Sequence, residues 1–479
     1  MSIVVCLPAG WLLDHLSFIN KSGYQLCHPH DDSVGVFCDD TATASSDMEP
    51  AVSATPGTAS SYRSSTVSDF KDAGKKTGET IKETYIFWEE FFNVLKPHIT
   101  AYSQVESQQR NSGLGREDAG SEQHEGAQNG NSYSAANAKK KRKRRSELNH
   151  GERAALEYHL KISGVISEGT RILVQEGLRS GFLKLRSTEQ IGTKTHIFAL
   201  SDCGLAELCE MAKQFSSVNE AVSVTKEDIS APEHVPVSCI TENNTAHAKI
   251  VTVIGQKYLF PPKSSFLLSD ISCMQPLLDY NKKFGVIVID PPWENKSVKR
   301  SNRYGYLSPW QIKQIPVPAL AAPDCLVVTW VTNRQKHLRF VKNVLYPHWS
   351  VRGVVEWYWV KVTKSGEFVF PLDSLHKKPY EVLILGRVQR NPNVPLSISE
   401  DETLHIPDHK LIVSVPCTLH SHKPPLTEIL KEYTKPDVEC LELFARNLQP
   451  GWTSWGNEVL KFQHLDYFTT LQKDNSFAQ

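Results

Sequence analysis

The chain has 479 residues, 40% of them hydrophobic and 22% charged, which is enough to bury a sizeable core in two or three folded units. Lys plus Arg and Asp plus Glu both total 53, so the net charge is zero and nucleic-acid binding would require a local basic face. The ten cysteines include no Cys-x-x-Cys pair, and no apolar run reaches the ~20 residues that span a bilayer. This composition disfavours zinc modules, disulfide frameworks and membrane helices, and it fits a reducing compartment.

The N-terminal region, residues 1–146, alternates between apolar fragments and low-complexity stretches. Residues 1–40 contain short apolar fragments typical of ordered chain, whereas 41–76 and 104–138 are rich in small and polar residues and are predicted to be disordered linkers. Residues 80–102 carry apolar side chains at roughly helical spacing, which predicts an amphipathic helix that packs on the folded body.

Seven consecutive basic residues, 139–145, follow the second linker. A compact basic run of this kind is typical of a nuclear localisation signal or of an arm that binds phosphates, and a solubilising tether is the alternative. The first interpretation predicts recognition by a nuclear import receptor and a protein found in the nucleus, together with a cytosolic pool.

Residues 147–250 are predicted to form a largely helical middle domain. Apolar residues recur at three- and four-residue steps over 152–162 and 168–185, and a Ser-Asp-Cys-Gly start marks a third candidate helix over 201–215. The sequence gives this region no chemistry of its own.

Residues 251–479 are predicted to form an α/β domain with a largely parallel sheet, because apolar runs alternate with amphipathic segments. The candidates are, in chain order, the strands 284–290, 325–332, 351–362, 380–387, 410–415, 437–444 and 452–457 and the helices 308–321, 334–346 and 424–433. In such folds, ligands bind at the carboxyl ends of the strands. Asp290 and residues 444–446 both lie at such ends, so we expect them to share one cleft.

The most distinctive motif of the chain is Asp290-Pro291-Pro292-Trp293, directly after an apolar strand candidate. Two prolines cannot continue a sheet ladder, and the indole offers a flat face on which a base can stack. The group suits methyl transfer to the exocyclic amine of adenine, because a carboxylate and a backbone carbonyl can accept the two N–H groups while the positive charge on nitrogen is stabilised. Stacking on Trp293 would hold the base in line with a methyl donor. The plainer alternative is a strand corner with a packed tryptophan.

The motif and six further blocks, in the same order, resemble the MT-A70 family of N6-adenine methyltransferases. The blocks are Trp-Val-Thr-Asn at 330–333, Trp-Tyr-Trp-Val-Lys at 357–361, Lys-Pro-Tyr-Glu at 378–381, Ser-His-Lys-Pro at 421–424, Glu-Leu-Phe-Ala-Arg at 442–446 and Trp-Gly-Asn at 455–457. The resemblance covers most of residues 265–460 and implies a Rossmann-like methyltransferase domain that uses S-adenosyl-L-methionine.

The long N-terminal extension resembles a separate branch of this family. Resemblance to that branch implies that the substrate is RNA, with 2′-O-methyladenosine in spliceosomal small nuclear RNA as the target and N6,2′-O-dimethyladenosine as the product. The large N-terminal portion can take the place of a partner subunit, which predicts a functional monomer, with a partnered complex as the alternative.

The family resemblance further implies which residues hold the cofactor. Asp270 and Ile271 would edge its adenine, Lys423 would pair with its carboxylate, and the others would underlie it or bind its ribose: Glu442, Phe444, Arg446, Asn447, Asn457 and Glu458. Ala445 stands where the family often has glycine, and the usual Pro-His after the arginine is missing, which weakens the assignments of Arg446 and Asn447. Plainer alternatives are a helix cap for Asp270, a surface lysine for Lys423 and a sheet-edge charge for Glu442.

The substrate candidates, besides Trp293, are Asn302, Arg303 and Tyr304 in a polar, aromatic loop and Lys361 after a strand. A solvated loop is the alternative. His420 and His422 lack a third ligand nearby in the sequence, and methyl transfer from a sulfonium needs no metal, so no metal site is predicted.

Three functions remain open from the sequence. The first is N6-adenine methylation of RNA, and the second is the same reaction on DNA, which no cleft residue excludes. The third is a catalytically weak subunit that binds nucleic acid. The presence of Asp290, Trp293 and Asn457 argues against the third, since such subunits of the family have lost the catalytic aspartate.

Overall fold

The computed structural model describes residues 2–28, 80–97, 150–185, 222–224, 233–234, 239–294, 306–374, 377–389 and 405–471. The predicted linkers, the basic run 139–145 and the candidate helix 201–215 lie outside the described residues, so they stay predictions. Within the described ranges, no helix is long and apolar enough to cross a membrane.

The strands are, in chain order, β1 Ile3–Leu7, β2 Gly10–Leu13, β3 Gln25–His28, β4 Thr80–Phe87, β5 Val222–Val224, β6 Glu233–His234, β7 Ile240–Asn243, β8 Lys249–Val253, β9 Gln256–Phe260, β10 Ser264–Leu268, β11 Phe284–Ile289, β12 Ala321–Val331, β13 Val351–Lys361, β14 Tyr380–Val388, β15 Leu411–Ser414, β16 Cys440–Leu443, β17 Trp452–Gly456 and β18 Phe468–Leu471. The α-helices are α1 His15–Lys21, α2 His150–Arg179, α3 Gln275–Asp279, α4 Pro309–Lys313, α5 Val317–Leu320, α6 Gln335–Phe340, α7 Tyr346–His348 and α8 Thr427–Leu430. A π-helical turn, Val341–Leu345, joins α6 to α7.

Twelve strands form one sheet in the order β1-β2-β15-β13-β14-β12-β11-β16-β17-β10-β7-β5. Its centre is parallel from β12 through β11, β16 and β17 to β10, and β14 is inserted antiparallel between β12 and β13. The predicted α/β fold with a largely parallel sheet is therefore confirmed for the C-terminal part. The sheet continues into N-terminal residues, because β2 pairs in parallel with β15.

The side chains of the central strands alternate between two apolar layers, as expected for a strand buried on both faces. Ile287 and Ile289 of β11 face a layer that includes Ile166 and Leu173 of the long helix α2. Val286 and Val288 face the opposite layer, which contains Trp11 of β2 and Leu430 of α8. The buried central strands thereby fix the position of Asp290, the residue that directly follows β11.

The amphipathic helix predicted over residues 80–102 is wrong. Thr80–Phe87 is strand β4, which pairs with β3 and β18, and Glu89–Phe92 is a single 3-10 turn. Tyr85 and Phe87 are both buried and are separated by one residue, which matches the two-residue period of a strand. The β-branched and aromatic composition favours a strand once partner strands are available, and the helical spacing did not reveal those partners.

The largely helical middle region is not confirmed. The two candidate helices 152–162 and 168–185 are parts of one continuous helix, α2, which ends at Arg179. Strands β5, β6, β7 and β8 follow it among the described residues. Strands β5 and β7 extend the main sheet beyond β10. The division of the chain at residues 146 and 250 stays a prediction.

Candidate active site

The carboxyl ends of the parallel strands β10, β17, β16, β11 and β12 meet at one edge of the sheet. Strand β13 also ends there, and the antiparallel β14 begins there. Asp290 follows β11 at this edge, and its backbone N–H donates to the Leu443 carbonyl of β16 at 3.2 Å. The motif after β11 and the residues after β16 therefore share one cleft.

The Asp290 carboxylate is buried, at 8% exposed, and lies between two cations. Arg446 Nη1 is 3.0 Å from Asp290 Oδ2, and Lys423 Nζ is 3.6 Å from the same oxygen. Burial alone would lower the pKa of Lys423, but Asp290 and Glu381 outweigh it and raise this pKa. A buried carboxylate needs such partners, and they fix the direction in which its oxygens point.

Glu381, at the start of β14, links two lysines. Its carboxylate is 2.6 Å from Lys361 Nζ and 2.8 Å from Lys423 Nζ. Burial would raise the pKa of Glu381, but the two lysines outweigh it and hold this pKa well below its usual range. Three consecutive ion pairs therefore connect Lys361, a predicted substrate residue, to Asp290.

Glu458 closes the other end of this ion-pair chain. Arg446 Nε is 3.0 Å from one Glu458 oxygen, and Lys461 Nζ is 2.7 Å from the other. Burial would raise the pKa of Glu458, but Lys461 and Arg446 together lower it. Arg446 thus joins the carboxylate of Asp290 to that of Glu458, a predicted ribose ligand.

Glu442 lies on β16 on the same sheet face as Asp290 and is buried, at 7% exposed. Its Oε2 accepts a hydrogen bond from Gln449 Nε2 at 3.1 Å, and Gln449 Oε1 accepts one from Thr427 Oγ1 at 2.7 Å. Burial and the nearby Asp290 carboxylate raise the pKa of Glu442 to about 7. The predicted sheet-edge alternative does not apply, since β16 is an inner strand.

Strand β16 ends in a constrained turn. Phe444 has φ of 61°, a left-handed conformation that costs a non-glycine residue roughly 1 kcal/mol. The Ala445 N–H donates to the Trp455 carbonyl at 3.0 Å, and a Cβ on Gly456 would lie only 3.0 Å from the Ala445 oxygen. This close approach of two backbones holds Arg446 next to Asp290.

Asp270, Ile271 and Asn457 lie at the ends of β10 and β17. Leu268 and Gly456 are paired across these strands, so Asp270 and Glu458 each lie two residues past the pair. Asp270 Oδ1 accepts from the Ser272 N–H at 2.9 Å and so caps a turn. It is not the helix cap of the plainer alternative, because the next helix, α3, has Met274 at its N-cap. Ile271 is half-buried against the core and Asn457 is exposed.

Trp293 is part of the wall of the site. Its indole is 6% exposed and stacks on His337, with ring centroids 4.9 Å apart at 21°, and its N–H donates to the Trp330 carbonyl at 2.8 Å. Burial lowers the pKa of His337 to about 4, with Lys336 acting in the same direction, so the imidazole is neutral. The Pro292 carbonyl accepts from the Leu307 N–H at 3.1 Å.

A narrow cleft adjoins the ion-pair chain. Lys423, Glu442 and Asn447 line it from the C-terminal domain, and N-terminal side chains, among them His15, line it from the other side. The His15 and His422 rings pack edge to face at 4.7 Å, and neither Nδ1 has a hydrogen-bond partner in the part of the chain that the structure describes. Burial lowers the pKa of both imidazoles, that of His15 to about 3.

Two groups of predicted residues need separate mention. Asn302, Arg303 and Tyr304 lie outside the described residues. Over the ranges that are described, no group of three or more His, Cys, Asp and Glu side chains is arranged to hold a metal ion, so the absence of a metal site stays a prediction.

Comparison with known proteins relates the chain to one family. The MT-A70 family model matches residues 284–458. The human "N(6)-adenine-specific methyltransferase METTL4" is 55% identical over 98% of this chain and 99% of its own length. The chain belongs to the MT-A70 family. The sequence prediction of an MT-A70 N6-adenine methyltransferase is therefore confirmed, and so is the predicted branch.

Two more distant MT-A70 relatives differ in the nucleic acid that they are named for. The "N6-methyladenosine RNA methyltransferase MTA1" of Pyricularia oryzae is 35% identical over 48% of this chain and 60% of its own length. The "DNA N6-methyl methyltransferase" of Caenorhabditis elegans is 31% identical over 45% of this chain and 56% of its own length. These names leave the choice between RNA and DNA open.

Sequence reasoning gave no role to two residues that the MT-A70 site contains. Glu381 belongs to one of the family blocks but received no predicted role, although it accepts hydrogen bonds from both Lys361 and Lys423. Its acidic side chain at the start of an apolar strand is the sequence feature that could have indicated this role. His337 stacks on Trp293 from α6, and no local pattern in a single sequence indicates that contact.

Proposed function

We propose that this MT-A70 enzyme uses S-adenosylmethionine to methylate the N6 amine of adenine in RNA, with 2′-O-methyladenosine of small nuclear RNA as the target. The observation that carries the proposal is the Asp290 carboxylate, held at the sheet edge by Arg446 and Lys423 and followed by two prolines. Likeness to the human relative along nearly the whole chain supports the choice of branch. The product would be N6,2′-O-dimethyladenosine.

The reacting amine needs two acceptors. Arg446 and Lys423 both approach Asp290 Oδ2, so Oδ1 is the oxygen available to one N–H of the amine. The Pro292 carbonyl already accepts from Leu307, which makes the Pro291 carbonyl the candidate for the other N–H. Asp290 accepts the proton as the new N–C bond forms, and its charge stabilises the developing cation.

The residues at the edge also fit the proposed cofactor. When bound, S-adenosylmethionine would supply an electrophilic methyl group, with its sulfonium sulfur as the leaving group that takes the electron pair of the broken S–CH3 bond. Lys423 is the cation for its carboxylate, and Asn457 and Glu458 offer acceptors to the ribose hydroxyls. The remaining contacts would come from Asp270, Ile271, Glu442, Phe444, Arg446 and Asn447 around the same corner.

Trp293 forms part of the wall of the site and does not offer both faces of its ring for base stacking, because His337 covers one face of the indole. A base would have to meet its edge or its second face. The loop residues Asn302, Arg303 and Tyr304, with Lys361, remain proposed substrate contacts.

DNA is the second candidate substrate, and the name of the nematode relative favours it. A catalytically weak subunit is the third, but Asp290 and both of its cationic partners are in place. We further propose a monomer that enters the nucleus through residues 139–145. Deleting that run should move a fluorescently tagged chain out of the nucleus, and an unchanged distribution would contradict the import role.

The test of substrate compares matched oligonucleotides. Purified enzyme would be given RNA with adenosine, RNA with 2′-O-methyladenosine, single-stranded DNA and duplex DNA, and N6-methyl nucleosides would be measured by mass spectrometry. Preference for the 2′-O-methylated RNA supports the proposal. A preference for DNA would replace it with the second candidate, and cofactor binding without any product would favour the third.

A further inference from the structure

Trp310 is exposed to an unusual degree for a tryptophan. Eight of the ten tryptophans are buried and Trp88 is half-buried, whereas Trp310 is 66% exposed. A large aromatic ring left in water forgoes the free energy of burial that the other indoles of this chain gain. The exposure leaves the ring accessible to a ligand, and its position in the chain relative to the catalytic motif decides which ligand it can meet.

Trp310 lies on a short helix whose start is capped and whose inner face is buried. Ser308 caps α4, with its Oγ accepting from the Gln311 N–H at 3.3 Å and its own N–H donating to Gln311 Oε1 at 2.9 Å. Pro309 occupies the first turn, and Ile312 is fully buried beneath the helix. The backbone that carries Trp310 is therefore held by a capped helix packed on the core.

The same segment is tied to the catalytic motif. The Leu307 N–H donates to the Pro292 carbonyl at 3.1 Å, and Leu307 also forms a β-bridge with Trp293. Trp310 follows Leu307 by three residues. The segment that carries Trp310 therefore lies beside the motif that is proposed to receive the target adenine.

The charges around the motif suit a polyanion. Lys313 lies one helical turn after Trp310, on the same side of α4. Arg334 donates from Nη1 to the Glu294 carbonyl at 3.1 Å, directly after the motif. An aromatic ring flanked by cations is the usual arrangement for binding single-stranded nucleic acid, where bases stack and phosphates pair with cations.

We propose that Trp310 stacks on a base that flanks the target adenine and so draws the substrate strand across the cleft. The inference rests on the proposed nucleic-acid methyltransferase function and adds a substrate-binding residue to it. Stacking is tolerant of base identity, so Trp310 contributes affinity and strand placement instead of sequence choice. A protein partner on this ring is the competing occupant.

The test uses three variants of the full chain. Trp310→Leu keeps an apolar side chain but removes the planar ring, Trp310→Phe keeps a ring, and Leu160→Ala is the matched control because Leu160 is 65% exposed on α2. Binding would be measured by fluorescence anisotropy on 2′-O-methyladenosine RNA, and turnover on the same RNA. The RNA would also be made with an abasic residue on the 5′ or the 3′ side of the target.

Stacking predicts that Trp310→Leu raises KM and the RNA Kd about tenfold, with kcat changed less than about twofold. Trp310→Phe should stay close to the wild type, and Leu160→Ala should match it. An abasic residue on the contacted side should weaken wild-type binding to the level of Trp310→Leu and have no further effect on that variant.

Unchanged RNA binding by Trp310→Leu would overturn the inference and favour a protein contact at this ring. Equal losses for wild type and Trp310→Leu on both abasic RNAs would overturn it too. If wild-type protein binds RNA without methylating any oligonucleotide, the proposed function fails, while the anisotropy comparison still decides the role of Trp310.

Discussion

At the scale of single residues, the site depends on Arg446, whose guanidinium pairs with two carboxylates at once. One guanidinium pairs with Asp290 through Nη1 and with Glu458 through Nε, both at 3.0 Å. Burial would lower the pKa of Arg446, but the two carboxylates outweigh it and raise that pKa. Sequence comparison weakened the assignment of Arg446 as a cofactor contact, whereas its geometry makes it the residue that positions the catalytic carboxylate.

Arg446→Gln should therefore lower both stability and turnover. The substitution leaves two buried carboxylates short of a cation, which costs on the order of 3 kcal/mol of unfolding free energy. Lys461→Gln, which removes only the outer partner of Glu458, is the control and should cost less. Urea unfolding and methyl transfer would be measured for both variants, and equal effects would contradict the central position of Arg446.

Glu442 provides a pH-dependent test. Its pKa is raised to about 7 in the folded protein from an ordinary value of 4.5, so between these pH values the native state keeps a proton that the unfolded state has lost. The free energy of unfolding should therefore fall as pH rises from about 4.5 to 7 and then level off.

Glu442→Gln removes this titration and retains the hydrogen-bonding atoms. Relative to the wild type, the variant should gain about 3 kcal/mol of unfolding free energy between pH 4.5 and 7.5. Urea unfolding of both proteins across this range measures the difference. Identical pH profiles would mean that the Glu442 carboxyl is not held protonated.

At the scale of secondary-structure elements, the N-terminal hairpin is built into the sheet. Gly10 at the start of β2 has φ of 145°, and a Cβ there would lie 1.9 Å from the Leu411 carbonyl oxygen of β15. Only glycine permits this approach. The pairing of β2 with β15 then leads the chain into His15, which lines the cleft beside Lys423.

Gly10→Ala should separate β2 from β15 and lower the thermal midpoint by several degrees, with weaker S-adenosylmethionine binding as a consequence. Gly164→Ala is the control, because a Cβ at Gly164 on α2 meets nothing within 4 Å and should be neutral or stabilising. Thermal melting with and without cofactor checks both. A Gly10→Ala protein as stable as the wild type would show that the hairpin is dispensable.

Local sequence patterns predicted the central strands because each is an apolar run buried on both faces, as in 284–289. They also predicted the helix after β12. Candidate 308–321 is instead divided into α4 and α5 next to Pro316, and candidate 424–433 is the short helix α8, which starts after two prolines, followed by a 3-10 turn. Strand β4 was missed because its partners lie far away in the chain. Asp270 and Asn457 were predicted as cofactor-binding residues from the family resemblance, because no local sequence pattern indicates that role.

At the scale of the whole molecule, the catalytic edge is completed by distant parts of the chain. N-terminal side chains line the cleft beside Glu442, and α2 packs on the layer that contains Ile287. The His159 Nδ1 of α2 lies 3.0 Å from the hydroxyl of Tyr380, the residue that precedes Glu381 on β14. The ion-pair chain around Asp290 is therefore held from several sides, which suits a site that must present one carboxylate oxygen accurately.

The most direct test of this account is methyl transfer to 2′-O-methyladenosine RNA by Asp290→Asn, with S-adenosylmethionine binding measured by calorimetry on the same preparation. The amide keeps the size of the side chain but cannot accept the proton or stabilise the cation that forms on nitrogen. The account predicts that turnover falls by about a thousandfold or more while cofactor affinity stays within about tenfold. Turnover within about threefold of the wild type would contradict the role of Asp290 and, with it, the proposed mechanism.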